Sequence, residues 1–586
     1  MRILRLLLLI TIITMSQISK AKESDRRTLT VIGTTDVHGN FLPYDFIGRR
    51  PASGSLARVA TYIDSMRAER GRDNVIVLDA GDILQGQPTA YYYDFVDTVS
   101  THIANDIYRY IGYDAITIGN HDIETGHAVY DRWIRNSSAP VLGANIIDTR
   151  TGRPYLKPYT IIDRGGVKVA VLGLLTPAIP AWLPENLWSN LRFDDMVSSA
   201  RYWADYLRKH EKPDVMIGLF HSGRDYKHTT DGILENASLL VAREVPEFDL
   251  ILFGHDHKRF IDKEGKTLLL NPANNAQSVA VAEITLGRPT PEDAYAVTSV
   301  EGRLQDVTAL RPSAAYMAEF RRQGEQVKEF VSRHVGNCTE TISTRDALFG
   351  PSAFMQLIHD LQLSISDADI SIAAPLSFDA RIAKGPMRVS DMFTLYKYEN
   401  MLYTMRLSGR EIKDYLEMSY GLWTAEPETD GKPSQHLLRF ESAVPTPNDN
   451  RLANPIYNLD SAYGINYTVD ITKPRGSKIT ITGMADGRPF EPDSMYTVAL
   501  NSYRGNGGGD HLTRGAGIPR EELRSRIVRA TDHDLRYYLM KEIEQLGTVH
   551  LHIDPNWRFV PERQAAALGA TDRTILFSPA SSPTQK

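Results

Sequence analysis

The chain has 586 residues and a formal net charge of −6, with 42% hydrophobic and 24% charged residues. At roughly 100–200 residues per domain it should hold two or more domains, and its composition excludes disorder and collagen-like repetition. The mildly acidic balance excludes a long nucleic acid as the expected partner and leaves small phosphorylated ligands held by local cations. One cysteine, Cys338, excludes an intramolecular disulfide framework.

Taken in chain order, the first element is a basic start, Arg2 and Arg5, followed by the apolar run 6–15 and a polar stretch ending near Ala21. This reads as a cleaved secretory signal over 1–22. The run is shorter than the ~20 residues of a spanning helix, so no stable membrane insertion is expected after cleavage. The mature protein is then periplasmic or secreted; an uncleaved anchor is the alternative.

Residues 28–310 alternate short apolar runs with amphipathic stretches, the pattern of an α/β layered domain. Strands are predicted at 29–33, 75–78, 115–118, 167–172, 215–220 and 250–253, rich in Val, Ile and Leu on both faces as doubly covered strands are. A connector, 311–337, is expected to contain one helix over 313–334, with Tyr316, Phe320, Val327 and Phe330 at helical spacing. A second domain spans 338–560, including a predicted helix at 409–420. Residues 561–586, without visible periodicity, are expected to form a mobile tail.

Five predicted strands are each followed at once by residues of metal-ligand type. The segments are TTDVHGN with Asp36 and His38, DAGDILQG with Asp82, GNHDIETG with Asn120 and His121, FHSG with His221, and GHDH with His255 and His257. Ligand sites of layered α/β folds gather at such strand ends. Side chains two apart on an extended segment face the same way, so Asp36 with His38, and His255 with His257, are each expected to converge. Imidazole and carboxylate suit zinc, manganese or iron. A carboxylate such as Asp82 can bridge two ions about 3.5–4 Å apart, a pair that activates water and clamps a phosphoryl group.

D-x-H, G-D-x-x-Q-G, G-N-H, H-S-G and G-H-x-H in this order resemble the calcineurin-like metallophosphoesterases. With its second domain the chain resembles the bacterial 5'-nucleotidase and 2',3'-cyclic-nucleotide 2'-phosphodiesterase (3'-nucleotidase) family. The resemblance implies an N-terminal four-layer αββα metallophosphoesterase domain and a C-terminal α/β substrate-binding domain. It implies two divalent metal ions, zinc, manganese or similar, one held by Asp36, His38, Asp82 and His257 and the other by Asp82, Asn120, His221 and His255. His121 is implied to contact phosphoryl oxygens or the leaving group rather than metal. The family commonly orients this histidine with an Asp or Asn three residues later; this chain has Glu124, with Asp122 the alternative partner or else a solvated turn residue.

In the second domain, at LYKYENML and NSYRGNGGGD, the resemblance implies that Tyr398 and Tyr503 sandwich a nucleobase, the alternative being ordinary core or loop tyrosines, and Asn506 and Asp510 could bond base or ribose edges. The N-G-G-x-I-R segment of 5'-nucleotidases is replaced by AAPLSFDARIAKG, where Arg381 is either a phosphate contact or a solvated arginine. Y-x-Y-x-N and N-x-Y-R look closer to the 2',3'-cyclic phosphodiesterase and 3'-nucleotidase branch. The expected function is nucleotide hydrolysis with that branch favoured. The alternatives are a 5'-nucleotidase or nucleotide-sugar hydrolase, and an exported nucleotide-binding protein without catalysis.

Overall fold

The computed structural model describes residues 26–225, 227–228, 232–290, 292–429, 432–442, 444–446 and 451–577. The expected signal at 1–22 lies outside the described residues. The chain divides into two compact units between Lys328 and Glu329, with Pro180–Pro184 grouped with the second.

The strands of the two large sheets of the first unit are β1 Arg26–Thr34, β2 Val75–Asp79, β3 Ala115–Thr117, β4 Val141–Leu142, β5 Tyr159–Arg164, β6 Val167–Leu175, β7 Val215–His221, β8 Leu250–Phe253, β9 Arg259–Glu264, β10 Thr267–Pro272, β11 Ser278–Gly287 and β12 Ala296–Asp306. They form two six-stranded sheets, ordered β12-β11-β1-β2-β3-β4 and β9-β10-β8-β7-β6-β5. All six predicted strands are present. The central ones run parallel, β1 with β2 and β6 with β7 and β8, and so point their C-terminal ends the same way within each sheet.

Alternation puts Leu29, Val31, Ile76 and Leu78 on the inner face of one sheet, against Val169, Val171, Ile217, Leu219 and Leu252 of the other. On the outer face of the second sheet, Ala170, Leu172, Phe220 and Phe253 pack with Met196, Ala200 and Val241 of helices Met196–Tyr206 and Ser238–Glu244. Helix Leu56–Arg70 covers β2 of the first sheet, burying Val59, Ile63 and Met66. The first unit is therefore an αββα sandwich, as expected.

The connector differs from the single helix expected. Helices Ala314–Glu319 and Arg321–Ser332 are interrupted at Phe320, which is buried beside Tyr316 with ring centroids 4.7 Å apart, and His334–Cys338 is already a strand.

The second unit holds a five-stranded sheet in the order Ser461–Tyr463, Ile370–Ala373, Met495–Asn501, Leu402–Ser408 and Ile527–Ala530. Its core joins Ile372, Met405, Leu407, Val498 and Leu500 to Ile412 and Leu416 of helix Gly409–Trp423. That helix starts where Ser408 Oγ accepts the Glu411 N–H and Glu411 Oε2 accepts the Ser408 N–H, a reciprocal cap.

The tail expectation is corrected over 562–577, while residues 578–586 lie outside the described residues. Glu562–Phe577 is a 16-residue helix with Ala565, Gly569, Asp572, Ile575 and Leu576 buried. Asp572 accepts the N–H groups of Leu437 and Leu438, each at 2.8 Å, and the His436 Nδ1–H at 2.6 Å. The inward face is helical in spacing, but Ala, Gly and Asp occupy it, so no apolar period shows in the sequence. No helix among the described residues is long and apolar enough to cross a membrane.

Candidate active site

β1, β2, β3 and β8 end two or three residues before Asp36, Asp82, Asn120 and His255, and β7 ends on His221 itself. The convergence of side chains does not come from strand pleating, as the sequence reading assumed. Asp36, His38, Asp82, His255 and His257 have φ of 49°, 48°, 61°, 80° and 55°, left-handed conformations that turn each side chain back over the strand ends. Non-glycine residues rarely adopt this region, at a cost of roughly 1–2 kcal/mol each. Such outliers cluster where function requires a direction that regular backbone cannot give.

The turns interlock. Asp36 N–H donates to Gly81 O at 2.9 Å and His38 N–H to Asp82 O at 3.0 Å. Two glycines are imposed by close approach: a Cβ on Gly119 would stand 2.0 Å from Asp82 Oδ1, and one on Gly254 would stand 1.9 Å from Thr35 Oγ1. Asp122 is neither a solvated turn residue nor the partner of His121. It is fully buried and its carboxylate accepts the N–H groups of Asp82, Ile83, Leu84 and Gly119 at 2.7–2.9 Å, which fixes the loop carrying Asp82.

Two groups of donors result. In the first, His257 Nε2 lies 3.2 Å from Asp36 Oδ1 and 3.1 Å from His38 Nε2. In the second, His221 Nε2 lies 3.1 Å from Asp82 Oδ2 and from Asn120 Oδ1, and His255 Nδ1 lies 2.8 Å from the same Asn120 oxygen. Asp36, Asp82 and His221 also bring ligand atoms close enough to share one ion. The outer nitrogens have partners of their own: His38 Nδ1 faces Gln85 O at 3.2 Å, His221 Nδ1 faces Ala80 O at 2.7 Å, and His255 Nε2 faces Glu235 Oε1 at 3.4 Å. Such bonds fix the tautomer that leaves the inner nitrogen as a lone-pair donor. Glu235 belongs to no recognisable motif and was missed by sequence reasoning.

The electrostatics suit cation binding. Burial alone would raise the Asp36 carboxyl, but the His257 hydrogen bond and the charges of His221 and His257 hold it at about 2. Burial, partly opposed by Asp82, lowers His38 to about 4, so its ring is neutral. Burial opposes charge on His221 too, yet Asp82 and Asp36 raise it to about 10, so without metal its inner nitrogen carries a proton, which a bound cation would displace. Anionic carboxylates, imidazole nitrogens facing one another and an amide oxygen between two histidines form a donor set that fits divalent ions.

His121 sits beside this set, its ring centroid 5.5 Å from that of His38 and its backbone N–H donating to Asp82 Oδ1 at 2.9 Å. Its Nδ1–H donates to Glu124 Oε2 at 2.6 Å. The glutamate thus reaches the imidazole despite its extra methylene.

In the second unit, Tyr398 and Tyr503 are both half-buried, whereas Tyr396 of the same motif is a core residue. A third ring stands with them: Tyr457 lies 6.3 Å from Tyr398 and 6.5 Å from Tyr503, at 89° to each. Asn506 Nδ2 donates to Ser502 O at 2.8 Å, and Asp510, at φ 65°, has Arg514 Nη1 3.8 Å from its carboxylate. Arg381 is exposed on strand Arg381–Ile382 and forms no ion pair with any described residue.

Comparison with known proteins matches this architecture. Residues 29–259 match the calcineurin-like phosphoesterase family and residues 305–513 the 5'-nucleotidase C-terminal domain family. The trifunctional nucleotide phosphoesterase protein YfkN of Bacillus subtilis is 27% identical over 91% of the chain, which spans 39% of that longer protein. The 2',3'-cyclic-nucleotide 2'-phosphodiesterase/3'-nucleotidase of Haemophilus influenzae is 24% identical over 93% of the chain and 89% of its own length. In fold, the 5'-nucleotidase precursor of Thermus thermophilus superposes with a TM-score of 0.61 at 19% identity, covering 92% of the chain and 100% of that structure. The chain therefore belongs to the metal-dependent phosphoester hydrolases that join a calcineurin-like phosphoesterase domain to a 5'-nucleotidase C-terminal domain.

Proposed function

We propose that the protein is exported and hydrolyses nucleotides, with 2',3'-cyclic nucleotides and 3'-nucleotides as its substrates. The observation that carries the hydrolytic reading is the convergence of Asp36, His38, Asp82, Asn120, His221, His255 and His257 over the strand ends. On this reading Asp36, His38, Asp82 and His257 hold one divalent ion, and Asp82, Asn120, His221 and His255 hold the other. Bound there, the ions supply an activated water and neutralise charge on phosphoryl oxygens.

The chain's own groups complete the chemistry. Glu124 fixes the His121 ring through Nδ1, so that Nε2–H can donate to the leaving oxygen as the ester bond breaks. Tyr398 and Tyr503 stack on the base, an interaction worth ~1–3 kcal/mol that tolerates base identity. Asn506 and Asp510 lie on the same glycine-rich loop as Tyr503, suited to base or ribose edges, and Arg381 is the candidate phosphate contact. The cyclic-nucleotide branch is supported by the Haemophilus influenzae relative and by the Y-x-Y-x-N and N-x-Y-R segments. Export is supported by the sequence of residues 1–22.

The test is turnover of 5'-, 3'- and 2',3'-cyclic nucleotides by metal-stripped protein and by protein reloaded with zinc or manganese, with nucleoside products followed by chromatography. Metal-dependent turnover of cyclic and 3' substrates is expected. A preference for 5'-nucleotides would move the protein to the other branch. No turnover with any metal, alongside intact nucleoside binding, would overturn the catalytic reading.

A further inference from the structure

Tyr457 carries no motif, yet it is built into the loop that bears Tyr503. Two side chains tie its segment there, although 46 residues separate the two tyrosines in sequence. Buried Arg504 donates from Nη2 to Tyr457 O at 2.5 Å and from Nη1 to Gly508 O at 2.9 Å, with Nε on buried Asp460 at 2.9 Å. Buried His511 sets Nε2 3.0 Å from Asn458 O and Nδ1 2.9 Å from Gly509 O. Each of these side chains therefore spans the same gap, from the 457–458 backbone to the glycine run.

The Tyr398 side is held in a similar way. Arg536, buried and paired with Glu399 at 2.8 Å, donates to Tyr396 O at 3.0 Å and to Lys397 O at 2.7 Å, the two carbonyls that precede Tyr398. A guanidinium with several fixed acceptors loses little freedom per bond and holds backbone stiffly. Two buried Arg–carboxylate pairs thus hold the backbone beside these rings, Arg504–Asp460 that of Tyr457 and the glycine run, and Arg536–Glu399 that just before Tyr398.

We propose that Tyr457 is a specificity-determining residue that closes one end of the slot between Tyr398 and Tyr503 and favours two-ring over one-ring bases. The inference rests on the reading of Tyr398 and Tyr503 as stacking residues. Tyr457 stands crosswise to both rings at almost equal distances of 6.3 and 6.5 Å, where it meets the edge of a flat guest and not its faces. Edge-to-face contacts are favourable at such separations. A purine fills the slot to this wall, while a pyrimidine, one ring shorter, stacks without reaching it. Discrimination then comes from depth and leaves stacking tolerant of base identity.

The test is calorimetric binding of adenosine and cytidine to the full-length protein and to Tyr457→Ala, Tyr457→Leu, Tyr457→Phe, Tyr398→Ala and Tyr503→Ala, with thermal melts to establish folding. Adenosine affinity should fall about two- to tenfold in Tyr457→Ala and Tyr457→Leu, with cytidine affinity falling less, and Tyr457→Phe should restore the adenosine preference. If Tyr398→Ala and Tyr503→Ala weaken both nucleosides while folded Tyr457→Ala and Tyr457→Leu leave the adenosine-to-cytidine ratio unchanged, the slot stands and the role of Tyr457 is overturned. If none of the variants changes nucleoside binding, the stacking reading falls and the inference falls with it.

Discussion

Glu124 Oε2 lies 2.6 Å from His121 Nδ1, three residues away within the short helix Asn120–Glu124, while the neighbouring Asp122 points into the protein and holds the loop of Asp82. The two acids of one helical turn therefore have different tasks. Asp122 shapes the metal loop, and Glu124 orients the histidine.

His121→Ala is accordingly expected to lower kcat by about 10²–10⁴-fold, the usual range for a positioned proton donor, without loss of bound metal. Glu124→Gln should lower kcat by a smaller factor, about tenfold to a hundredfold, because the amide can still meet Nδ1 but cannot balance charge on the ring. Steady-state kinetics with metal content measured on the same samples checks this. Loss of metal in step with activity would contradict it.

Glu235→Ala should weaken metal retention by about 10–100-fold, since it removes the carboxylate 3.4 Å from His255 Nε2 that orients the ring. The measurement is the number of ions that survive dialysis against a graded chelator. Equal retention in variant and parent would assign Glu235 a purely structural role.

Stability should depend on pH through Asp79, the last residue of β2. Burial, opposed by the Thr34 hydroxyl and the Gly81 N–H, raises its carboxyl from 3.8 to about 7. Between those values the folded state holds a proton that the unfolded chain has lost. Asp79 therefore costs nothing below the lower value, and stability falls as pH rises through the window, by up to ~1.4 kcal/mol per pH unit. Asp79→Asn, whose amide can accept from Gly81 and donate to Thr34, should flatten that slope. Urea unfolding from pH 4 to 8 of metal-free parent and variant reads the difference directly.

Asp572→Ala should destabilise the second unit by about 2–4 kcal/mol, because the Leu437 and Leu438 N–H groups would be left buried without an acceptor. Asp572→Asn should lie between variant and parent. A melting temperature unchanged in Asp572→Ala would mean that the terminal helix contributes nothing to that unit.

Much of this is legible in the sequence. Apolar runs mark the six central strands, and polar residues just beyond five of them mark the seven side chains that the structure brings together, because a strand end is a punctuation mark in sequence. What pattern could not supply was backbone sign: alternation predicts that Asp36 and His38 share a face, whereas positive φ at both is what turns them inward. Glu235 and Tyr457 were invisible because their partners lie 20 and 47 residues away and no spacing rule links them. The terminal helix was hidden for a different reason, its inward face being Ala, Gly and a carboxylate that is satisfied only by the Leu437 and Leu438 backbone. Asp122 escapes sequence reading because a carboxylate in a short polar segment between two glycines looks solvated until its four N–H donors are counted.

The left-handed turns at Asp36, His38, Asp82, His255 and His257 bear on how such a centre could be copied. The letters of the five motifs are short and easily written into another loop, but they would carry only the identity of the donors. Their aim resides in unfavourable torsions that two packed sheets hold against relaxation. Transplanted alone, the same residues would relax to ordinary backbone and disperse. The heritable unit is the strand terminus together with its turn, which makes loss of the centre easy by mutation and its assembly piece by piece hard.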